Sequence, residues 1–248
     1  MKTAAIILAA GKGTRMYQGI KQNKQQLAFS VDTRQQKKQY MHVAGYPIVY
    51  YALKAFEQVG VDQLILVTGA EDVEYCRNEI VEKYHIERVT HILAGGKERY
   101  DSVMAGLEAV DPEVDYLLIH DGARPCVSRK VIERCLEDVQ KYKTAVAAVP
   151  VKDTIKRGDQ AGFAVDTPNR SELYQVQTPQ TFALALIRQA YENMKQEKEA
   201  VGITDDAMVV ERYTDTRIRL TEGDYRNIKV TTPEDLMLAE VFLSLKEQ

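Results

Sequence analysis

The sequence predicts an α/β protein with a mostly parallel, doubly wound sheet, and three observations carry that reading. An apolar run, Ala4-Ala5-Ile6-Ile7-Leu8-Ala9-Ala10, opens directly into the small-residue turn Gly11-Lys12-Gly13-Thr14-Arg15-Met16, as a buried parallel strand does when it delivers its backbone to an anion. Further Val/Ile/Leu-rich segments then alternate with segments of helical length and pattern, which is the signature of a sheet covered on both faces. At 248 residues the chain suits one large domain with a substantial core.

The first loop is built to hold polyphosphate. Its small residues let main-chain N–H groups approach an anion, and Lys12 and Arg15 can neutralise charge that backbone dipoles only partly offset. A dinucleotide fingerprint would need glycine where Met16 stands, with Asp32 at the right distance but in the wrong context. The P-loop pattern G-x-x-x-x-G-K-[ST] is absent. An ordinary glycine-rich turn remains the alternative from this stretch alone.

The remaining elements follow in order. Residues 17–37 are polar, rich in Gln and Lys, and interrupted by Leu27-Ala28-Phe29-Ser30-Val31. They read as an exposed insertion with one short strand. Lys38-Gln39-Tyr40 leads through Gly45 to a helix with Pro47 in its first turn and Gly60 closing it. Gln63 to Val67 is a strand, about 71–84 a helix, Arg88 to Ala94 a strand and about 99–110 a helix. The strand Tyr116 to His120, a helix over about 129–142 and the strand Ala145 to Val149 complete the regular alternation. The ligand crevice of such a sheet lies at the carboxyl ends of its strands.

The rhythm breaks between Val151 and Gln177. Thr154 to Arg157 and Phe163 to Thr167 flank a Gly-Asp-Gln-Ala-Gly turn with no helix between. This predicts a protruding β-arm at about 151–178, and because an isolated hairpin is marginal in water, the arm is expected to pack against a second subunit. Helices return at about 182–197 and 205–213, the second capped by Thr204, then a strand over 217–221. Thr231-Thr232-Pro233-Glu234-Asp235 opens a last helix with a cap, a first-turn proline and acids against the dipole. The whole chain, 1–248, reads as a single domain carrying the arm and the 17–37 insertion.

The formal net charge of −3 gives no global attraction for nucleic acid or an anionic membrane, so neither is an expected partner and a phosphate ligand must be held by local cations. Cys76, Cys126 and Cys135 have no C-x-x-C spacing, which suits reduced packing thiols in a cytoplasmic protein. No stretch approaches the ~18 apolar residues of a membrane span.

Several charged or glycine-bearing clusters fall at strand ends: Gly11 to Arg15, Gly95 to Arg99 with Ser102, His120 to Pro125, and Asn227 to Lys229. The strand ending Ile119-His120-Asp121-Gly122 puts an acid beside a backbone turn, where Asp121 can hold a divalent metal or substrate hydroxyls. Adjacent strand residues point to opposite faces, so His120 is expected to be structural and not to share a metal with Asp121.

Taken together these clusters resemble one family along nearly the whole chain. Ala9-Ala10-Gly11-x-Gly13-x-Arg15-Met16, Lys38-Gln39-Tyr40, Gly95-Gly96-x-x-Arg99-x-x-Ser102-Val103, His120 to Pro125, Pro150 to Thr154, Gln177-Thr178-Pro179-Gln180-x-Phe182, Thr204 to Ala207 and Asn227-Ile228-Lys229 are similar to the motifs of the 2-C-methyl-D-erythritol 4-phosphate cytidylyltransferases. Eight motifs in the right order are specific where each alone is weak. The neighbouring ribitol-5-phosphate cytidylyltransferases share the first loop and the Thr-Pro-Gln segment but typically lack the Asp-Gly-Ala-Arg-Pro and Val-Lys-Asp-Thr forms.

The resemblance implies a Rossmann-like nucleotidyltransferase fold and a transfer of CMP from CTP to a polyol phosphate, with Mg²⁺ or another divalent cation as cofactor. It implies that Arg15, Lys38 and Lys229 are catalytic cations on the phosphates. Ala10, Gly11, Gly96 and Ser102 would bind the nucleotide. Asp121, Arg124, Thr154, Arg170 and Lys229 would bind the acceptor, Asp121 serving the metal or the polyol hydroxyls. Thr154 and Arg170, in the arm, would reach the acceptor of a neighbouring subunit, so a homodimer is expected. Thr178 and Thr204 are placed behind the site, and Arg99 is left between a site role and a structural one. The insertion after Met16 departs from the family's short loop, so Lys37, Lys24 and Lys21 stay open as alternatives to Lys38, and the insertion is expected to form a cationic flap over the triphosphate. The readings carried beside this one are transfer to another polyol phosphate, such as ribitol 5-phosphate, and a non-catalytic nucleotide-binding protein.

Overall fold

A computed structural model describes residues 1–11, 13, 16, 37–197 and 202–245. The first strand, β1 (Thr3–Ala9), is buried along nearly its whole length and lies in the interior of the sheet. A short 3-10 turn, Lys38–Tyr40, is followed by the small hairpin β2 (His42–Val43) and β3 (Tyr46–Pro47), then α1 (Ile48–Val59). Gly60 ends α1 at φ 92°, in the left-handed region that glycine enters without a Cβ penalty, as its position in the sequence predicts.

β4 (Gln63–Thr68) lies parallel to β1, and β5 (Val89–Ala94) lies parallel to β4 at the sheet edge. The helix expected over 71–84 is instead composite: a 3-10 turn Ala70–Asp72, one α turn Val73–Tyr75 and a π-helical stretch Cys76–Glu82. α2 (Arg99–Ala109) leads back to β6 (Tyr116–Asp121), which pairs in parallel with the other side of β1. The strand order therefore reverses at β1, and the crevice of such a sheet opens at that reversal, beyond the carboxyl ends of β1 and β6.

α3 (Arg129–Tyr142), capped by the Ser128 hydroxyl, precedes β7 (Thr144–Pro150). The arm holds the short antiparallel pair β8 (Arg157–Gly158) and β9 (Ala164–Asp166) and a 3-10 turn, Arg170–Glu172. The next element corrects the expectation of a helix from Phe182. The Thr-Pro-Gln segment belongs to β10 (Tyr174–Ala183), an irregular strand wedged antiparallel between β6 and β7, and α4 starts only at Leu184 (Leu184–Lys195). α5 (Asp206–Tyr213) is capped by Asp205, whose side chain accepts from the Met208 N–H at 2.9 Å; Thr204 is not the cap. β11 (Leu220–Glu222) lies beside β7 at the other edge, and α6 (Pro233–Ser244) starts with the expected proline and a capping box between Thr232 and Asp235.

Alternation along the strands divides the core in two. Ile6, Ile65, Leu117, Ile119 and Phe182 meet α2, α4 and α5 on one face. Ile7, Leu64, Leu66 and Leu118 meet α1 and the composite helix on the other. A third cluster packs α6 against Val43 and Met16, fastening the C-terminal helix beside the base of the first loop. The short strand expected around Leu27 lies outside the described residues.

Phe182 is fully buried on β10, within the cluster to which α2, α4 and α5 contribute. Phe182→Ala should therefore lower stability by about 3–5 kcal/mol in urea unfolding, with an unchanged denaturant slope.

Candidate active site

Two strand ends set the site's position. In the β1–β6 ladder Leu8 is opposite Asp121, so the turn beginning at Ala10 and the carboxylate of Asp121 leave the sheet side by side. The Leu8 carbonyl accepts from the Gly122 N–H at 2.9 Å, which ties the two turns together. Beyond them lies a cleft of about 380 Å³. Ala10, Gly11, Lys38, Gly96, Ser102, Asp121 and Lys229 all line it, so seven of the residues expected at the site converge from five stretches of chain.

The wall made by residues 95–102 requires glycine. A Cβ on Gly95 would stand 2.5 Å from Ser102 Oγ and 2.7 Å from Ala10 Cβ, and one on Gly96 would stand 2.2 Å from Asp101 Cβ. Those contacts are below anything a real side chain makes, so the close approach of this backbone to Ala10 and Ser102 depends on two residues without Cβ. α2 begins at the same place, with a reciprocal capping box between Glu98 and Asp101.

Asp121 is the electrostatic centre. Its Oδ2 lies 2.8 Å from Lys229 Nζ and 3.7 Å from Arg124 Nε, and its Oδ1 lies 3.6 Å from Arg99 Nε. Burial by itself would push this carboxyl upward; the three cations outweigh that and hold it far below the usual carboxylate range. Arg99 is further fixed by a two-pronged pair to buried Asp206, at 2.8 and 2.7 Å, and the Tyr191 hydroxyl donates to the same carboxylate at 2.6 Å. Arg99 is thus both structural and part of the cleft wall.

His120 points to the other face of the sheet. It lies against Phe56, with Nδ1 2.9 Å from Thr178 Oγ1 and Nε2 3.3 Å from the Arg124 carbonyl. Burial, aided by nearby Arg124, lowers its pKa to about 4, so it is neutral and structural. Thr178 accepts the Asp121 N–H at 3.1 Å, which places it behind the carboxylate as expected.

Other expected residues are placed differently. Arg124 is mostly buried behind Asp121 and donates to the Asn227 carbonyl at 2.7 Å, so it braces the Lys229 loop and does not line the cleft. Thr154 and Arg170 sit on the exposed arm, where Arg170 donates to the Lys152 carbonyl at 2.9 Å. Within one chain they are not brought to the cleft. Lys37 pairs with Glu71 and, at 2.5 Å, with Asp72, whereas Lys38 lines the cleft and reaches the Val230 carbonyl at 3.0 Å. Arg15, Lys21, Lys24 and the expected flap lie outside the described residues.

The sequence reading missed Gln39, Lys97 and Glu98 in the cleft wall and the partnership of Arg99 with Asp206. Gln39 stood in plain view between Lys38 and Tyr40, and Asp206 lay in the quoted Thr-Asp-Asp-Ala motif. Nothing local in the sequence pairs Asp206 with Arg99. Among the described residues no group of three His, Cys, Asp or Glu side chains could hold a metal ion. Of the two carboxylates lining the cleft among the described residues, Glu98 is engaged as the cap of α2, which leaves Asp121 to meet a hard cation. It supplies too few oxygens alone, so a divalent ion fits here only with ligand phosphate oxygens and water completing its shell.

The sequence and the fold both match a known family. Residues 3–245 match the family model described as 2-C-methyl-D-erythritol 4-phosphate cytidylyltransferase, IspD. The chain belongs to this family. A protein of that name from Lachnospira eligens is 47% identical over 240 residues, covering 96% of this chain and 98% of the relative. One from Caldanaerobacter subterraneus is 41% identical over 244 residues, covering 98% and 99%. Among solved structures, the 4-diphosphocytidyl-2C-methyl-D-erythritol synthase of Anaerococcus prevotii superposes with a TM-score of 0.79 at 30% identity, over 98% of each chain. The family's enzyme from Thermus thermophilus superposes at 0.73 with 28% identity, over 98% of this chain and all of the other.

The state of His120 gives a prediction on stability. Its pKa is about 4 when folded, against 6.5 when free. Between those values the unfolded chain binds more protons, so stability falls as pH drops below about 6.5 and levels off near 4. From pH 7 to pH 5 His120 should account for a loss of about 2 kcal/mol in urea unfolding, and His120→Gln should remove that portion of the pH dependence.

Proposed function

We propose that the chain transfers CMP from CTP to 2-C-methyl-D-erythritol 4-phosphate, giving 4-diphosphocytidyl-2-C-methyl-D-erythritol and pyrophosphate in the non-mevalonate isoprenoid pathway. An oxygen of the acceptor phosphate forms a bond to the α-phosphorus of CTP, the bond from that phosphorus to the bridging oxygen breaks, and pyrophosphate carries away the electron pair. A phosphate monoester is already ionised at neutral pH, so no general base is required; the work is alignment and charge stabilisation. The observation that carries this reading is the convergence of Lys38, Lys229 and Arg99 with the Ala10–Gly11 turn on a single cleft.

In this reading Ala10 and Gly11 offer backbone to the triphosphate, and Gly96 and Ser102 hold cytosine and ribose. Lys38 and Lys229 meet the phosphates, with Arg15 as a third cation. Asp121 orients Lys229, receives the polyol hydroxyls and offers one oxygen to Mg²⁺ or another divalent cation. When bound, that ion neutralises charge on the triphosphate. Arg124 acts on the acceptor through Asp121 and the Asn227–Lys229 loop. The molecule works in the cytoplasm as a homodimer, with the arm of one subunit bringing Thr154 and Arg170 to the acceptor of the other. Support for the dimer is the arm's exposed apolar surface: Phe163 is 73% and Val165 61% exposed in a hairpin with little else to pack on.

A phosphorus NMR time course with CTP, Mg²⁺ and methylerythritol phosphate, run beside ribitol 5-phosphate, tests the chemistry. Pyrophosphate and a new diphosphate signal are expected with methylerythritol phosphate alone. Turnover with ribitol phosphate instead would assign another acceptor, and CTP binding without turnover would favour a non-catalytic nucleotide-binding protein. Arg170→Ala should raise KM for the acceptor about 10-fold or more while leaving KM for CTP within about 2-fold, since a charge-assisted phosphate contact contributes about 1.5–3 kcal/mol. Equal effects on both would remove the arm from the acceptor site. Lys38→Ala should lower kcat by about 10²–10³-fold, the usual cost of one missing group that stabilises transition-state charge.

A further inference from the structure

The 3-10 turn Lys38–Tyr40 sends three successive side chains to three different places. Lys38 enters the cleft. Tyr40 is buried and packs its hydroxyl against Thr68 on β4, with Asp72 3.3 Å away. Gln39, only 2% exposed, turns back to the first loop, where its Nε2 donates to the Ala9 carbonyl at 2.7 Å and to the Gly11 carbonyl at 3.2 Å. The turn that carries Gln39 is anchored on its far side by Lys37, paired with Glu71 and Asp72. It also abuts the loop again at Gly13, whose Cβ direction is filled by Lys38 Cγ and backbone nitrogen at 3.5 Å.

The two hydrogen bonds bracket Ala10. A trans peptide is planar, with its C=O and N–H directed oppositely. Holding the Ala9 oxygen on Gln39 therefore points the Ala10 N–H the other way, and the bond to the Gly11 oxygen pins the backbone a second time just beyond it. A free loop of this composition would sample many backbone orientations, and ordering it on a ligand costs about 1–2 kcal/mol per residue. A loop already oriented by Gln39 avoids part of that cost.

We propose that Gln39 is a positioning residue for the triphosphate: its amide sets the peptide plane joining Ala9 to Ala10 so that the Ala10 N–H faces the phosphates, and it does so from the same turn that delivers Lys38. The lysine and the loop are thereby held in one fixed relation. The Gln39 amide is engaged by the two carbonyls, so it acts on the phosphates through the loop. This inference rests on the cleft being the CTP site.

The test is binding, by calorimetry, of CTP and CMP with Mg²⁺ to the full chain and to Gln39→Met, which keeps the length and volume but cannot donate. CTP binding is expected to weaken about 10- to 100-fold, as the loss of phosphate contacts made through the loop implies, while CMP binding changes by less than about 3-fold. The thermal unfolding midpoint should stay within a few degrees. Gln39→Glu, with no amide donor, should show the same split and replaces the Met variant if that fails to fold. Loss of CTP and CMP affinity to the same extent, or no loss of either, would overturn the proposal. A wild-type chain that binds neither nucleotide would remove the assignment of the cleft itself, which separates that failure from this one.

Discussion

One carboxylate holds the cleft together. Asp121 lies at the end of β6 with Lys229, Arg99 and Arg124 around it, and the three cations reach it from the last loop, from α2 and from its own turn. Without an anion between them such cations would repel one another and turn to solvent. With it, their positions are set before any ligand arrives, and positive charge remains in excess. Pre-set charge of this kind is worth more to a reaction that builds negative charge than the same groups on flexible surface chains. The cost is desolvation, which the buried Arg99–Asp206 pair helps to offset by satisfying the guanidinium from its other side.

The sheet makes that arrangement possible. Because strand order reverses at β1, the ends of β1 and β6 are neighbours, and the crevice opens beyond them. The antiparallel strand β10 fills the space between β6 and β7 and brings Thr178 beneath Asp121. The Asn227 side chain then donates to the Thr178 carbonyl at 2.8 Å, so the loop bearing Lys229 is fastened to the same strand. Carboxylate and lysine are referred to one piece of backbone.

Where the sequence was legible, one local pattern was enough. β1, β4, β6 and β7 are runs of apolar residues, α1 ends at a glycine in the left-handed region, and α6 begins with proline after a capping threonine. The lining glycines stood in short motifs at strand ends, and Lys38 in the short motif Lys38-Gln39-Tyr40. β10 was illegible because most of its buried residues are polar: Gln177, Thr178, Gln180 and Thr181 are all buried, and the first three make hydrogen bonds to distant chain in place of an apolar stripe. The composite helix was misread because periodicity reports an apolar face and not how tightly the backbone winds. The Arg99–Asp206 pair and the turning-back of Gln39 are tertiary facts, and no spacing announces either.

The arm has a consequence for how this chain can change. It leaves the sheet after β7 and returns at the start of β10, and those two strands are antiparallel neighbours that face each other at Pro150 and Tyr174. Both feet are therefore pinned in adjacent rungs of one ladder. Everything between them is an interchangeable cassette: it can lengthen, shorten or be traded with a relative's without altering the register of a single core strand.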